Sequence, residues 1–131
     1  MDHVVFDAEP LIAYYWDEPG SDAVEATIDR VEDGEFMGTV NTITCTELRY
    51  VCGRDDPQTA HAYVTRIRDW CDFVVAEDIW ESAADYKRDY NVPLGDAFTV
   101  ATAAANDATA YTGADCDFDT VTVKRFRGET V

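Results

Sequence analysis

A chain of 131 residues fits one compact core, so any catalytic or binding site has to be assembled inside a single domain spanning residues 1–131. With 47% hydrophobic and 12% aromatic residues, the chain has too much apolar material for disorder by low hydrophobicity. The charge is the unusual quantity: 27 acidic against 10 basic side chains leave −17, and the basic set contains only two lysines, Lys87 and Lys124.

The first apolar run, Val4-Val5-Phe6, reads as a strand ending at Asp7, and Pro10 to Tyr15 follows with helix-compatible spacing. Glu18-Pro19-Gly20-Ser21 is a turn, after which Val24, Ile28 and Val31 repeat at helical spacing up to Gly34. Gly38-Thr39-Val40 is the second strand. From Thr44, the residues Cys45, Leu48 and Cys52 share a helical face to Gly53, and Asp56-Pro57 opens a further helix carrying Ala60, Val64, Ile67 and Trp70.

Phe73-Val74-Val75 is the third strand, followed by a helix marked by Ile79, Ala83 and Tyr86 that breaks at Asn91-Val92-Pro93. Gly95 to Ala105 is helical and rich in small residues, and Thr109-Ala110-Tyr111 is a strand leading into Thr112-Gly113. This alternation predicts an α/β fold with a parallel sheet covered by helices on both faces. Ligands of such sheets bind beyond the carboxyl ends of the strands, where the strand order reverses.

Four acids fall at those places. Asp7 ends the first strand, Glu47 lies in the first turn after the second, Asp96 opens the small-residue helix, and Asp115 follows the last strand. Carboxylates converging on one spot raise each other's pKa unless a cation neutralises them, and hard oxygen donors suit Mg²⁺ or Mn²⁺. Each acid also has a purely local explanation: Asp7 as a helix cap, Thr44-Cys45-Thr46-Glu47 as a capping box, Asp96 as a helix N-terminal acid, and Asp115 as a turn residue. Competing chemistries lack their motifs. No glycine-rich turn follows the first strand and no GxxxxGK[ST] loop exists, which excludes cradling of a nucleotide by backbone amides. Cys45, Cys52, Cys71 and Cys116 have no zinc-ligand spacing and read as free thiols.

The blocks around the acids resemble the PIN-domain nucleases, especially the small VapC-type toxins, over nearly the whole chain. Val4-Val5-Phe6-Asp7 looks like the opening strand with its first acid, and Thr42 to Leu48 like the second block. Leu94-Gly95-Asp96-Ala97-Phe98-Thr99-Val100-Ala101-Thr102-Ala103 resembles the third block, and Tyr111 to Phe118 the fourth. The resemblance implies a three-layer α/β/α domain with a central parallel sheet of four to five strands. It also implies a Mg²⁺- or Mn²⁺-dependent endoribonuclease that hydrolyses RNA phosphodiesters through a metal-activated water. Asp7, Asp96 and Asp115 would then hold the ion, Glu47 would bind it or orient the water, and Thr112 would contact the site by its hydroxyl. Two departures stand out. Ala8-Glu9-Pro10 replaces the usual Ser or Thr close behind the first acid, and an extra residue before Asp115 leaves Asp117 as an alternative or outer ligand.

Arg49, Arg54, Lys124, Arg125 and Arg127 are the candidate phosphate contacts, because affinity for nucleic acid comes largely from cations neutralising phosphates. The resemblance further implies a small antitoxin protein and a second copy of the chain as partners, with Tyr14, Tyr15 and Trp16 as their groove. The alternatives are a housekeeping RNA-processing nuclease without antitoxin and a non-catalytic metal-binding interaction module. No stretch approaches the roughly 18 apolar residues of a membrane span, and Met1 to Pro10 lacks the layout of a signal peptide, so the expected location is cytoplasmic, without membrane attachment.

An acidic excess of this size disperses a protein in concentrated salt, where a short Debye length cancels self-repulsion; a halophilic cytoplasm is the setting it implies. The melting temperature is therefore expected to rise steeply with KCl. A flat response between low and molar salt would refute that expectation.

Overall fold

The computed structural model describes residues 2–113 and 117–127. In chain order the elements are β1 (His3–Phe6), α1 (Ala8–Tyr15), α2 (Ser21–Glu32), β2 (Met37–Asn41), α3 (Thr42–Gly53), α4 (Pro57–Ile67), β3 (Asp72–Val74), a 3-10 turn (Ala76–Asp78), α5 (Trp80–Tyr90), α6 (Leu94–Ala105), β4 (Thr109–Thr112) and β5 (Val123–Arg125). The five strands form one sheet in the order β3-β2-β1-β4-β5, every neighbouring pair parallel.

The chain thus starts at the centre of its sheet, builds outward through β2 and β3, then crosses over to lay down β4 and β5 on the other side. The reversal falls between β1 and β4. Strands buried on both faces need apolar residues at every position, and Val4, Val5 and Phe6 are fully buried. Alternation divides them: Val4 and Phe6 pack with Leu11, Ile28, Val40, Leu48 and Ile67 from β2 and α1 to α4, while Val5 packs with Ala83, Ala97, Val100, Ala101 and Ala110 from α5, α6 and β4. The expected three-layer α/β/α domain is therefore observed.

Local signals place the helix starts at the sheet edge. Asn41 caps α3, its side chain accepting from the Ile43 N–H at 2.9 Å while its amide donates to Thr102 Oγ1 at 3.1 Å; such caps are worth about 1 kcal/mol. Asp56 caps α4 by accepting from the Gln58 N–H at 3.1 Å, with Pro57 in the first turn as expected. Asn91 takes the left-handed conformation that ends α5.

Several boundaries differ from the sequence reading: α4 ends at Ile67, so Trp70 lies beyond it, and β3 runs Asp72–Val74 rather than to Val75. Helix α1 begins at Ala8 rather than Pro10, because Asp7 caps it directly. Helix α3 begins at Thr42, so Thr44 is a fully buried interior residue and Thr44-Cys45-Thr46-Glu47 is no capping box. The periodicity left β5 unmarked: its three residues, Val123-Lys124-Arg125, carry two charges and pair with β4 alone at the sheet edge. Among the described residues no helix is long and apolar enough to cross a membrane.

Candidate metal and active site

Asp7 is the first residue after β1, and its backbone N–H donates to the Tyr111 carbonyl at 2.9 Å, tying it to the neighbouring strand. Its side chain is 3% exposed. A buried carboxylate is costly unless its oxygens are hydrogen-bonded, and here three donors converge. The Ala8 N–H and Thr99 Oγ1 donate to Oδ1 at 2.8 and 3.0 Å, and Thr112 Oγ1 donates to Oδ2 at 2.8 Å. The helix-cap reading of Asp7 and the site reading thus describe one arrangement. Hydroxyls on both Asp7 oxygens come from α6 and β4.

Asp96 sits in the first turn of α6, one turn before Thr99, with its carboxyl facing Asp7 closely enough for the protonated form to donate to it. Its pKa is pushed up to about 8, first by burial and then by the charge of Asp7, with smaller contributions from Glu47 and Glu9. Glu47, in the second turn of α3, is raised too, by burial and by Asp7. Among the described residues its buried Oε1 has no hydrogen-bond partner. Gly95 makes room for it: a Cβ there would overlap the Glu47 carboxylate. The spacing of α3 and α6 against β1 therefore brings Asp7, Glu47 and Asp96 together at the switch point.

Glu9, which the residue pattern did not single out, joins them from the first turn of α1. Its carboxylate lies over Gly113, where a Cβ would overlap it, and accepts from Arg127 Nη1 at 2.8 Å. The departure Ala8-Glu9-Pro10 was the available signal, read as a lost hydroxyl rather than a gained acid.

The remaining candidates are placed differently. Asp115 lies outside the described residues. Asp117 has a side chain 94% exposed and faces Arg125 at 3.5 Å. Arg49 lies two residues beyond Glu47, about 200° around the helix, and lines a shallow cleft with Pro57, Gln58 and His61 of α4. Arg54 caps the far end of α3, about 10 Å along the axis from Glu47, over the Tyr50 ring. Lys124 and Arg125 lie on β5, with Arg127 just beyond it. Of the aromatic trio, Tyr15 is committed internally, stacked on Tyr63 at 3.8 Å and donating to its carbonyl; Trp16 is 39% exposed. Cys45, Cys52 and Cys71 are free thiols.

Among the described residues the carboxylates do not close into a ready-made metal cage. The donor set nevertheless fits a hard divalent cation. Three carboxylates repel one another, the proton affinity of two is raised, and a buried Glu47 oxygen lacks a partner, as expected where a cation completes the charge balance.

The fold is thus a parallel α/β domain with acids gathered at its switch point. A model of the PIN domain matches residues 4–124, and the chain belongs to that family, whose members are generally nucleases that typically use divalent metal ions. No curated protein matches the sequence. Solved structures share its fold, two of them as follows. A chain of a toxin–antitoxin complex from Klebsiella pneumoniae aligns with a TM-score of 0.68 at 18% identity, covering 92% of this chain and 95% of that one. A chain of VapBC2 from Rickettsia felis, bound to a promoter DNA fragment, aligns with a TM-score of 0.70 at 10% identity, covering 94% and 98%.

An acid whose folded pKa lies above its unfolded value binds more protons when folded, so its contribution to stability is present at low pH and lost as pH rises through the folded pKa. For Asp96 that window runs from the ordinary 3.8 to about 8. In metal-free buffer the melting temperature should fall across it more steeply in the native protein than in Asp96→Asn, and Mg²⁺ should flatten the native profile. Parallel profiles for the two proteins would contradict the placement of Asp96 against Asp7.

Proposed function

We propose that the protein is a Mg²⁺- or Mn²⁺-dependent endoribonuclease and the toxin of a toxin–antitoxin pair. The observation that carries the catalytic reading is the meeting of Asp7, Glu47 and Asp96, with Asp7 held by three hydrogen bonds and Glu47 Oε1 left for a ligand. Asp7 and Asp96 hold the ion, with Asp115 as the expected further ligand and Asp117 as its alternative. Glu47 binds at the same place or orients the attacking water by accepting its proton through the available oxygen. Thr99 and Thr112 act through Asp7, keeping both its oxygens in fixed directions. When bound, a divalent ion lowers the pKa of water and offsets charge on the phosphoryl oxygens.

The toxin assignment draws its support from solved structures of the same fold, among them a toxin–antitoxin complex and VapBC2 bound to promoter DNA. A small antitoxin and a second copy of the chain are the proposed partners, and the exposed Trp16 at the end of α1 is a contact available to either.

Cleavage of RNA in high KCl with Mg²⁺ or Mn²⁺ tests the catalytic reading. Asp96→Asn should reduce the rate at least about a hundredfold, since loss of a metal-holding group exceeds the effect of losing its supporting partners. EDTA should abolish it. Equal rates in both proteins, or cleavage that survives EDTA, would refute the proposal.

A further inference from the structure

The cations are unevenly placed. Of the ten, Arg30, Lys124, Arg125 and Arg127 gather along one edge of the molecule. A groove of about 300 Å³ runs between α2 and the edge strand β5, lined by Ala23, Ala26, Thr27 and Arg30 on the helix side and by Lys124, Arg125 and Phe126 on the strand side. Among the described residues its lining contains no acidic side chain, although the chain carries 27. Strand alternation assigns the side chains. Val123 packs with the α5 and α6 cluster and Phe126 with the α1 to α4 cluster, so Lys124 projects on the α2 side, toward Arg30, and Arg125 lies at the lip on the Asp117 side.

The strand side of the groove is linked to the acidic site through β5 and the residues just after it. Arg125 pairs in register with Thr112, whose hydroxyl holds Asp7. Arg127, two residues further on, reaches Glu9 while its Nε donates to the Pro19 carbonyl at 3.1 Å, and it stacks on the Phe126 ring at 4.4 Å. An exposed ion pair of this kind adds little stability; its consequence is positional, because it fixes a guanidinium with spare donors between the acids and the groove.

We infer that an RNA strand leaving the acidic site passes over Arg127 into the α2–β5 groove, where Arg30 and Lys124 take its backbone phosphates. The inference rests on the nuclease reading above and extends it to the path of the substrate. Charge complementarity selects the occupant: a repeating anion is drawn to the acid-free groove and repelled by the rest of a surface with net charge −17. The Arg30–Glu35 pair does not oppose this, since its 3.9 Å separation and exposed side chains make it easily exchanged for phosphate.

The test is binding of a fluorescent trinucleotide and of a several-fold longer single-stranded RNA by anisotropy, without metal ion so that no cleavage occurs. In the native protein the longer RNA should bind more tightly, with an affinity that falls as KCl rises. The Arg30→Gln/Lys124→Gln double variant should weaken the longer RNA roughly tenfold at low salt and shed about 0.7 of the log–log salt slope per lost contact. Lys124→Arg should bind as the native protein does, and so should Arg88→Gln, which removes a distant cation on α5. Unchanged affinity and slope in the double variant would overturn the groove, as would equal competition by polyglutamate of matched charge, which would mark an acidic protein segment as the occupant. Failure of the nuclease reading looks different: native binding with no metal-dependent cleavage.

Discussion

The buried carboxylate of Asp7 is the constraint on which the site depends. A charge at 3% exposure has to be matched by donors or neutralised, and the fold supplies three from three elements: an N–H of α1, a hydroxyl of α6 and a hydroxyl of β4. These bonds knit the carboxyl end of β1 to its neighbours on the side where the strand order reverses. They also leave a net negative charge in a half-buried place, and Asp96 and Glu47 are packed against it rather than away from it. That repulsion is the observation behind the proposal that a cation occupies the site.

Much of this was legible in the residues, for identifiable reasons. Val4-Val5-Phe6-Asp7 shows an apolar run stopped by an acid, and the small-residue stretch after Gly95 shows a helix able to pack closely on the sheet. Both signals are local. What escaped depends on distant partners. Thr99 reads as an ordinary polar residue in an apolar helix until α6 lies beside β1, where its hydroxyl faces Asp7. Glu9 belongs to the site because Gly113 leaves space for its carboxylate and Arg127 holds it, 104 and 118 residues away in sequence. Strand β5 is too short and too charged for periodicity to mark it. The capping-box reading of Glu47 fell because Asn41, a residue of β2, starts the helix earlier than Thr44.

For the RNA substrate proposed above, the acidity of the site is itself an obstacle. Net charge acts at long range and is screened by salt, whereas cations fixed beside the reacting phosphate act at contact. The arrangement around β5 follows that division: a short basic edge, in a chain of net charge −17, meets the site through Arg127. On α3, Arg49 is turned away from Glu47 by the helical pitch and Arg54 is carried about 10 Å along the axis, so both lie apart from this edge.

The central claim is that Asp7, Glu47 and Asp96 form one cation site, and direct titration with Mn²⁺ followed by electron paramagnetic resonance tests it without reference to any substrate. The account predicts saturable binding by the native protein that weakens at least about tenfold in Asp7→Asn and in Glu47→Gln. Binding of equal strength in all three proteins would contradict it.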